Sequence, residues 1–564
     1  MKKYDAIVIG SGISGGWAAK ELCEKGLKTL VIEKGRMVKH VEDYPTAMKD
    51  HWEFEHRGAL TVEDAQKHHV QIRSGFVGDS VKHFFTNDLE NPYQEKQRFD
   101  WIRGNQVGGR SLTWGKQVYR WSDYDFESNL REGIGIDWPI RYKDIAPWYS
   151  YVEKFIGVSG EKMGLEHLPD GEFLPPFEMN CVEKHFRTEM EKKFKNRPVT
   201  IGRIAHITKA QPWHIELGRS ECQNRNRCSR GCPYGAYFSS NSATLPAANR
   251  TGNLTIRPNA IVHSILLDST NQKAKGVRVI DAETMDVVEY AANIVFVCAS
   301  TLATTQLLLN SKSARFPNGL GNDSGELGHN LMDHHYHVGA TAAIDGFEDQ
   351  YYKGRKPTSL FIPKFVNISP QTKVPDFLRG YDYQAANSGR SDWGRGNSTV
   401  GVGASFKDGL MKPGGWTMGL MGFGETLPYH ENQVTLHETL TDKWGIPQLV
   451  LDAGLKDNEW KMRKRMASDA AEMLEAAGFK EVKTFDNVGG FGNGIHEMGT
   501  ARMGRDPKTS VLNAHNQIHG VPNVFVTDGS CMTSANCVNP SITYMALTAR
   551  AVDFAVSEMK KKNL

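Results

Sequence analysis

Residues 4–15, Tyr4-Asp-Ala-Ile-Val-Ile-Gly10-Ser-Gly12-Ile-Ser-Gly15, decide the fold of this chain. Ala6-Ile7-Val8-Ile9 is an unbroken apolar run, the pattern of a parallel strand covered on both faces. The glycines that follow have separate tasks. Gly10 permits a tight turn, Gly12 lets the backbone approach a pyrophosphate, and Gly15 lets the next helix pack closely on the strand. That helix is predicted over Ile13 to Lys25, with its N-terminus toward the phosphates and Gly26 suited to left-handed backbone at its end. A second strand, Leu27 to Ile32, leads into Glu33, about 20 residues past the glycines, where a carboxylate accepts hydrogen bonds from ribose hydroxyls. A glycine triplet alone is a weak signal. Strand, triplet, helix, strand and acid in that order specify a dinucleotide site.

The other end of the chain carries the chemistry. His496-Glu-Met-Gly-Thr500 is followed by Asn523-Val-Phe-Val-Thr-Asp-Gly-Ser530 and then by Asn539-Pro540. The middle segment reads as a buried strand ending at Asp528 and Gly529. A neutral imidazole, with an ordinary pKa of about 6.5, is a suitable proton acceptor near neutral pH. An arbitrary one of the 20 histidines would be structural or exposed, and His496 gains weight only through the family likeness described below.

Composition bounds the rest. The chain has 564 residues, 39% hydrophobic and 24% charged, as in an ordinary globular protein long enough for two large units. A net charge of +3 gives no reason to invoke nucleic acid or an anionic membrane. No apolar stretch reaches the roughly 18 residues of a membrane span. The first strand begins almost at Met1, leaving no room for a cleavable signal, so on its own the chain is expected in the cytoplasm. There is no internal repeat. Gly380 to Gly396, rich in Gly, Ser, Asn and Asp, is expected to be an exposed loop.

The chain resembles the glucose-methanol-choline (GMC) oxidoreductases, in the branch that includes catalytic subunits of bacterial sugar and sugar-acid dehydrogenases. The likeness runs through the N-terminal glycines, Gly104 to Gly115, Trp138-Pro139 with Asp144-Ile-Ala-Pro-Trp-Tyr149, Val295 to Leu309, Gly325 to His334, and His496 to Ala549. It is poor from Tyr336 to about Val488, the part that faces substrate in this family. The resemblance implies an α/β fold: a Rossmann-like FAD-binding domain assembled from discontinuous segments, plus a substrate domain with a large, mostly antiparallel sheet. Residues 1–332 would form the first, with a cysteine-bearing insertion around 138–246. Residues 333–488 would form the second, including the alternating segment Gln433 to Glu438 and a helix over Asn458 to Ala477. Residues 489–564 would return to the first.

Site residues follow from the same likeness. Val107-Gly-Gly-Arg-Ser-Leu-Thr-Trp114 matches the segment beside the flavin ring, so Gly108, Gly109, Ser111 and Thr113 join Gly10, Gly12, Gly15, Glu33, Asp528 and Gly529 as FAD-binding residues. Thr113 stands where some pyranose-oxidising relatives carry a flavin-linked histidine, which predicts non-covalent FAD. Asn539 matches the second active-site position and would hold the substrate oxygen, leaving proton removal to His496. Glu425 and Tyr383 are candidate substrate contacts.

Three of the eight cysteines cluster as Cys222-Gln-Asn-Arg-Asn-Arg-Cys228-Ser-Arg-Gly-Cys232-Pro233. Three thiols cannot all pair as disulfides, and the Cys-x-x-x-Cys-Pro ending is like the tail of ferredoxin motifs. In heterotrimeric relatives a similar trio holds a 3Fe-4S cluster, whose charge Arg225, Arg227 and Arg230 would offset. Zinc, with His206 or His214 as fourth ligand, or a structural pair plus a free thiol, are the other readings. Cys23 and Cys298 fit as small core residues, and Cys531 and Cys537 could form a disulfide.

Such a relay suits a dehydrogenase better than an oxidase, whose reduced flavin reacts with oxygen directly. The resemblance implies a sugar or glycoside substrate, with C3 oxidation of a glucoside or disaccharide favoured partly on Gly424-Glu-Thr-Leu-Pro428. Glucose C1, gluconate C2 and fructose oxidation are the rivals within the class. A peroxide-forming oxidase and a non-catalytic electron-transfer subunit are the rivals outside it. Implied partners are a small chaperone-like subunit, whose signal would carry the folded chain to the periplasm, and a cytochrome c.

Overall fold

The computed structural model describes residues 2–270, 272–350, 357–390, 401–411 and 414–564. Its first strand, Lys2–Ile9, has Ala6, Ile7 and Val8 wholly buried, as the apolar run requires. It lies between Thr29–Ile32 and Val287–Val297, both parallel to it. Val521–Val526 adds beyond Val287–Val297, and Leu254–Arg257 beyond Thr29–Ile32, again in parallel. The short strand Gln517–Ile518 and the antiparallel strands Ala260–Leu267 and Ala274–Asp281 complete an eight-stranded sheet. The register places Ile9, Ile32, Val297 and Val526 side by side. Gly10, Glu33, Cys298 and Asp528 therefore emerge together at the carboxyl ends of the parallel strands, where open α/β sheets bind ligands.

The expected first helix spans Ile13–Glu24. Its Ala18, Ala19 and Leu22 share one core cluster with Ala551, Val552 and Ala555 of the last helix, Ser541–Lys560, so the two ends of the chain are bonded by burial. Cys23 and Cys298 are small members of that cluster, as read from the sequence.

A second, six-stranded sheet runs in the order Lys480–Asp486, His334–Ile344, Trp416–Glu425, Tyr381–Arg390, Leu360–Ile362 and Thr200–Ile201. Helix Asp457–Ala476 lies across it, with Met462, Met466, Ala470 and Met473 forming the apolar stripe of a 3.6-residue period. Three expectations need correction. The stretch from Gly380 is not a loop over Tyr381–Arg390 but a strand, because Tyr381 and Tyr383 bury their rings in this core; residues 391–396 of that stretch lie outside the described residues. Gln433–Thr441 is a strand as expected, yet it pairs with Pro447–Asp452, which pairs in turn with Gln94–Glu95, a three-stranded sheet separate from the second domain's. The 138–246 segment is shared: its helix Tyr142–Ile156 packs on Ser541–Lys560, while Thr200–Ile201 edges the second sheet. Among the described residues, no helix is long and apolar enough to cross a membrane.

Candidate active site

A cavity of about 610 Å³ runs from the strand ends of the first sheet to the face of the second. Gly10, Gly12, Glu33, Gly109, Ser111, Thr113, Asp528 and Gly529 line it, together with His496 and Asn539. At the end beside the strand ends of the first sheet, Glu33 is buried. Its Oε2 accepts from Ser11 N at 3.1 Å and Ser11 Oγ at 2.6 Å, and its Oε1 accepts from Gly35 N at 3.1 Å. Burial raises its pKa, which these donors oppose. A Cβ on Gly12 would meet no atom within 4 Å, whereas one on Gly15 would sit 1.9 Å from Gly10 O. Gly12 thus keeps space open for a ligand, and Gly15 lets helix and turn touch. Asp528 accepts from Ser530 Oγ at 2.6 Å and Thr304 Oγ1 at 2.5 Å. Among the described residues the Tyr544 hydroxyl, buried beside Gly529 where the chain walls the cavity, has no hydrogen-bond partner.

At the other end, His496 N donates to Asp333 Oδ1 at 2.9 Å, and the ring lies between two partners. Its Nδ1 is 2.9 Å from Nδ1 of His334, and its Nε2 is 3.4 Å from Nδ2 of Asn539. Asn539 Oδ1 accepts from Gln384 Nε2 at 2.9 Å. Trp114, Gln117, Tyr336, Gln384 and Phe423 complete this end, with the Tyr336 and Phe423 rings stacked 5.2 Å apart. Burial, then His334 and Arg110, hold the His496 imidazole well below its ordinary pKa, so the value of about 6.5 assumed from sequence is corrected downward. The ring is neutral at pH 7. Burial and the Glu497 carboxylate push Asp333 up to about 8.

The glycine-rich segment is tied to the segment around His496 by an ion pair. Arg110 Nη2 donates to Glu497 Oε2 at 2.8 Å and Nη1 to Oε1 at 3.2 Å, with the Glu497 side chain 1% exposed. Thr301 Oγ1 donates to Glu497 O at 2.5 Å, fixing the same turn. Arg110, Asp333, His334 and Gln384 were not singled out from sequence. The first and the middle two lie inside matched blocks, which is the signal that could have found them; Gln384 carries none.

Other expected residues lie elsewhere. Gly108 does not line the cavity; its φ of +96° and the Asn241 side chain, 1.7 Å from where a Cβ would stand, explain the glycine. Tyr383 does not face the cavity. Side chains alternate along a strand, so Gln384 points to the site and its neighbour Tyr383 into the core, where its hydroxyl donates to Met466 O at 2.5 Å. Glu425 is buried and accepts from Lys364 Nζ at 2.9 Å instead of lining the cavity.

The cysteine loop abuts the same cavity, since Ser229, between Cys228 and Cys232, is part of its wall. Cys222 feels both Cys228 and Cys232 electrostatically, and burial pushes its thiol up to about 11. His206 Nε2 is 3.5 Å from Cys228 Sγ, whereas His214 is turned away to Lys154 O at 3.2 Å. Arg225, Arg227 and Arg230 dock on Ala47, Met48, Lys49 and Asp50. Among the described residues, no three His, Cys, Asp or Glu side chains converge as a metal-holding group, and all eight cysteines are free thiols, Cys531 and Cys537 included.

Comparison with known proteins places this architecture. The GMC oxidoreductase family patterns match residues 4–336 and 428–548. The chain is 29% identical to a 2-methyl-1,2-propanediol dehydrogenase of Mycolicibacterium austroafricanum, covering 98% of this chain and 94% of that one. It is 24% identical to the fructose dehydrogenase large subunit of Gluconobacter japonicus, covering 99% and 98%. Among solved structures, pyridoxine 4-oxidase from Mesorbium loti superposes with a TM-score of 0.59 over 98% of this chain and 99% of its own, at 15% identity. The chain belongs to the GMC oxidoreductase family. It is an FAD-dependent oxidoreductase acting on alcohol donors, and the open space at Gly12, the buried Glu33 and the free Tyr544 hydroxyl fit that cofactor.

Proposed function

We propose that the chain is a sugar dehydrogenase that oxidises a secondary alcohol of a glucoside or disaccharide, by preference at C3. The observation that carries alcohol oxidation is the pairing of His496 Nε2 with the Asn539 amide at the second-sheet end of the cavity. FAD, when bound, supplies the acceptor for the substrate hydride. The protein does the rest. Asn539 Nδ2 donates to the alcohol oxygen, His496 Nε2 takes its proton, and the stacked Tyr336 and Phe423 with the Trp114 indole offer apolar walls suited to sugar-ring faces. With Thr113 beside the ring site instead of histidine, the flavin is held non-covalently.

On the same reading, Cys222, Cys228 and Cys232 ligate a 3Fe-4S cluster through which electrons leave for a cytochrome c. The cavity wall at Ser229 favours this exit by its proximity. One relative is by name a large subunit, which supports a small chaperone-like companion and export with it to the periplasm. A second reading, a peroxide-forming oxidase without a relay, draws on the lack, among the described residues, of a converging metal-holding group.

Anaerobic optical and EPR spectra before and after adding methyl glucoside, with iron and sulfide assays on the same sample and NMR of the product, test the proposal. Flavin bleaching with about three irons per chain and a 3-keto product supports it. Bleaching without iron, with peroxide formed in air as fast as a dye is reduced, favours the oxidase.

A further inference from the structure

We propose that His334 is the positioning residue that fixes which ring nitrogen of His496 carries the proton, so that an unprotonated Nε2 faces the alcohol. The inference rests on the reading of His496 as the base and adds how its lone pair is aimed.

His334 Nε2 makes a very short contact with Asn536 O. A carbonyl oxygen only accepts, so this nitrogen carries the His334 proton. The ring is 3% exposed and neutral, burial holding its pKa down to about 4, so its Nδ1 presents a lone pair. That lone pair points at His496 Nδ1, 2.9 Å away, with the two rings nearly perpendicular at 76°. Two unprotonated nitrogens at this distance would repel, so His496 Nδ1 carries the proton and donates. A neutral imidazole has one N–H, and His496 Nε2 is left with its lone pair toward Asn539 and the cavity.

The amide opposite is held in the matching sense. Gln384 Nε2–H occupies Asn539 Oδ1, which turns the Nδ2 donors toward His496 and the substrate oxygen. In the Ser-His-Asp arrangement a carboxylate orients the imidazole and stabilises its cation. Here the orienting group is an uncharged ring that ends on a carbonyl, so the tautomer is set without adding an anion. The charged or titratable groups facing the pair are Asp333, which accepts from both backbone N–H groups, His335, and the Arg110–Glu497 ion pair. In the reaction the O–H bond breaks and an Nε2–H bond forms, while the hydride goes to FAD. The Nδ1–H donation to His334 persists throughout.

The test is imidazole 15N NMR of the FAD-loaded full chain, the His496 signals being those lost in His496→Gln. The expected form is Nδ1–H; an Nε2–H form in the wild type overturns the proposal, whatever the variants do. His334→Leu removes the acceptor. Its kcat should fall by a factor on the order of 10² to 10⁴, with KM and FAD affinity within about twofold of wild type and the Nδ1–H signature lost or mixed. In His334→Asn the side-chain oxygen stands where Nδ1 stood, and most of the rate and the signature should return. A Leu variant that keeps both overturns the proposal. Undiminished bleaching in His496→Gln would instead sink the base assignment, and the tautomer spectrum would still be readable.

Discussion

Two glycines three residues apart should fail in opposite ways. Gly12 has φ of −66°, which any residue adopts, and a Cβ there meets no protein atom within 4 Å. Gly12→Ala should therefore change apoprotein stability by no more than about 1 kcal/mol, because reduced freedom of the unfolded chain and a weaker helix cap roughly offset. On the close-approach reading, the added methyl takes the space a pyrophosphate would occupy. Losing one charge-assisted hydrogen bond costs about 1.5–3 kcal/mol, or roughly 10- to 150-fold in FAD affinity. Gly15→Ala puts a methyl 1.9 Å from Gly10 O, a backbone atom that cannot step aside alone. It should destabilise the apoprotein by about 1–3 kcal/mol, as overpacking does. Calorimetry of both apoproteins and flavin-fluorescence titration with FAD separate the two effects. A Gly12→Ala protein that binds FAD as tightly as wild type would refute the close-approach reading, and an unshifted melting temperature in Gly15→Ala would refute the packing one.

Other outcomes follow from the site. Arg110→Met leaves the buried Glu497 carboxylate without its cation and should cost about 3 kcal/mol or more, read as a lower denaturant midpoint of the apoprotein; an unchanged midpoint would show that the pair is not stabilising. Gln384→Leu frees the Asn539 amide and should lower kcat/KM by about three- to tenfold, one neutral hydrogen bond's worth, without moving the FAD affinity. Because His496 is held well below its ordinary pKa, the active neutral form persists as pH falls; kcat/KM should stay flat through pH of about 6.5 and decline only at lower pH, whereas a break at the ordinary imidazole value would contradict the burial described for the ring.

The dinucleotide end was legible because its demands are local. Apolar runs and glycines each answer to their own backbone, and Lys2–Ile9, Ile13–Glu24 and Thr29–Ile32 arose where the residues required them. His496 and Asn539, 43 residues apart in sequence, were legible only as motifs, since nothing in either segment states that helix Ser541–Lys560 returns the second to the first. Tyr381–Arg390 was misread because Ser, Asn and Gly dominate its end, while the pairing with Trp416–Glu425 that makes it a strand is nonlocal. The same alternation decides that Gln384 and not Tyr383 reaches the site, a one-residue distinction invisible without the register. His334 lay inside a matched block, yet its task depends on the Asn536 carbonyl from a loop far along the chain.

On the proposed reading, His496 removes the proton from a bound alcohol. Anaerobic stopped-flow of the FAD-loaded His496→Ala protein, following flavin bleaching by substrate, tests it most directly. The account predicts a rate lower by about 10²- to 10⁴-fold with FAD bound as in the wild type. Bleaching at the wild-type rate would contradict it and move the base to another group on the cavity wall.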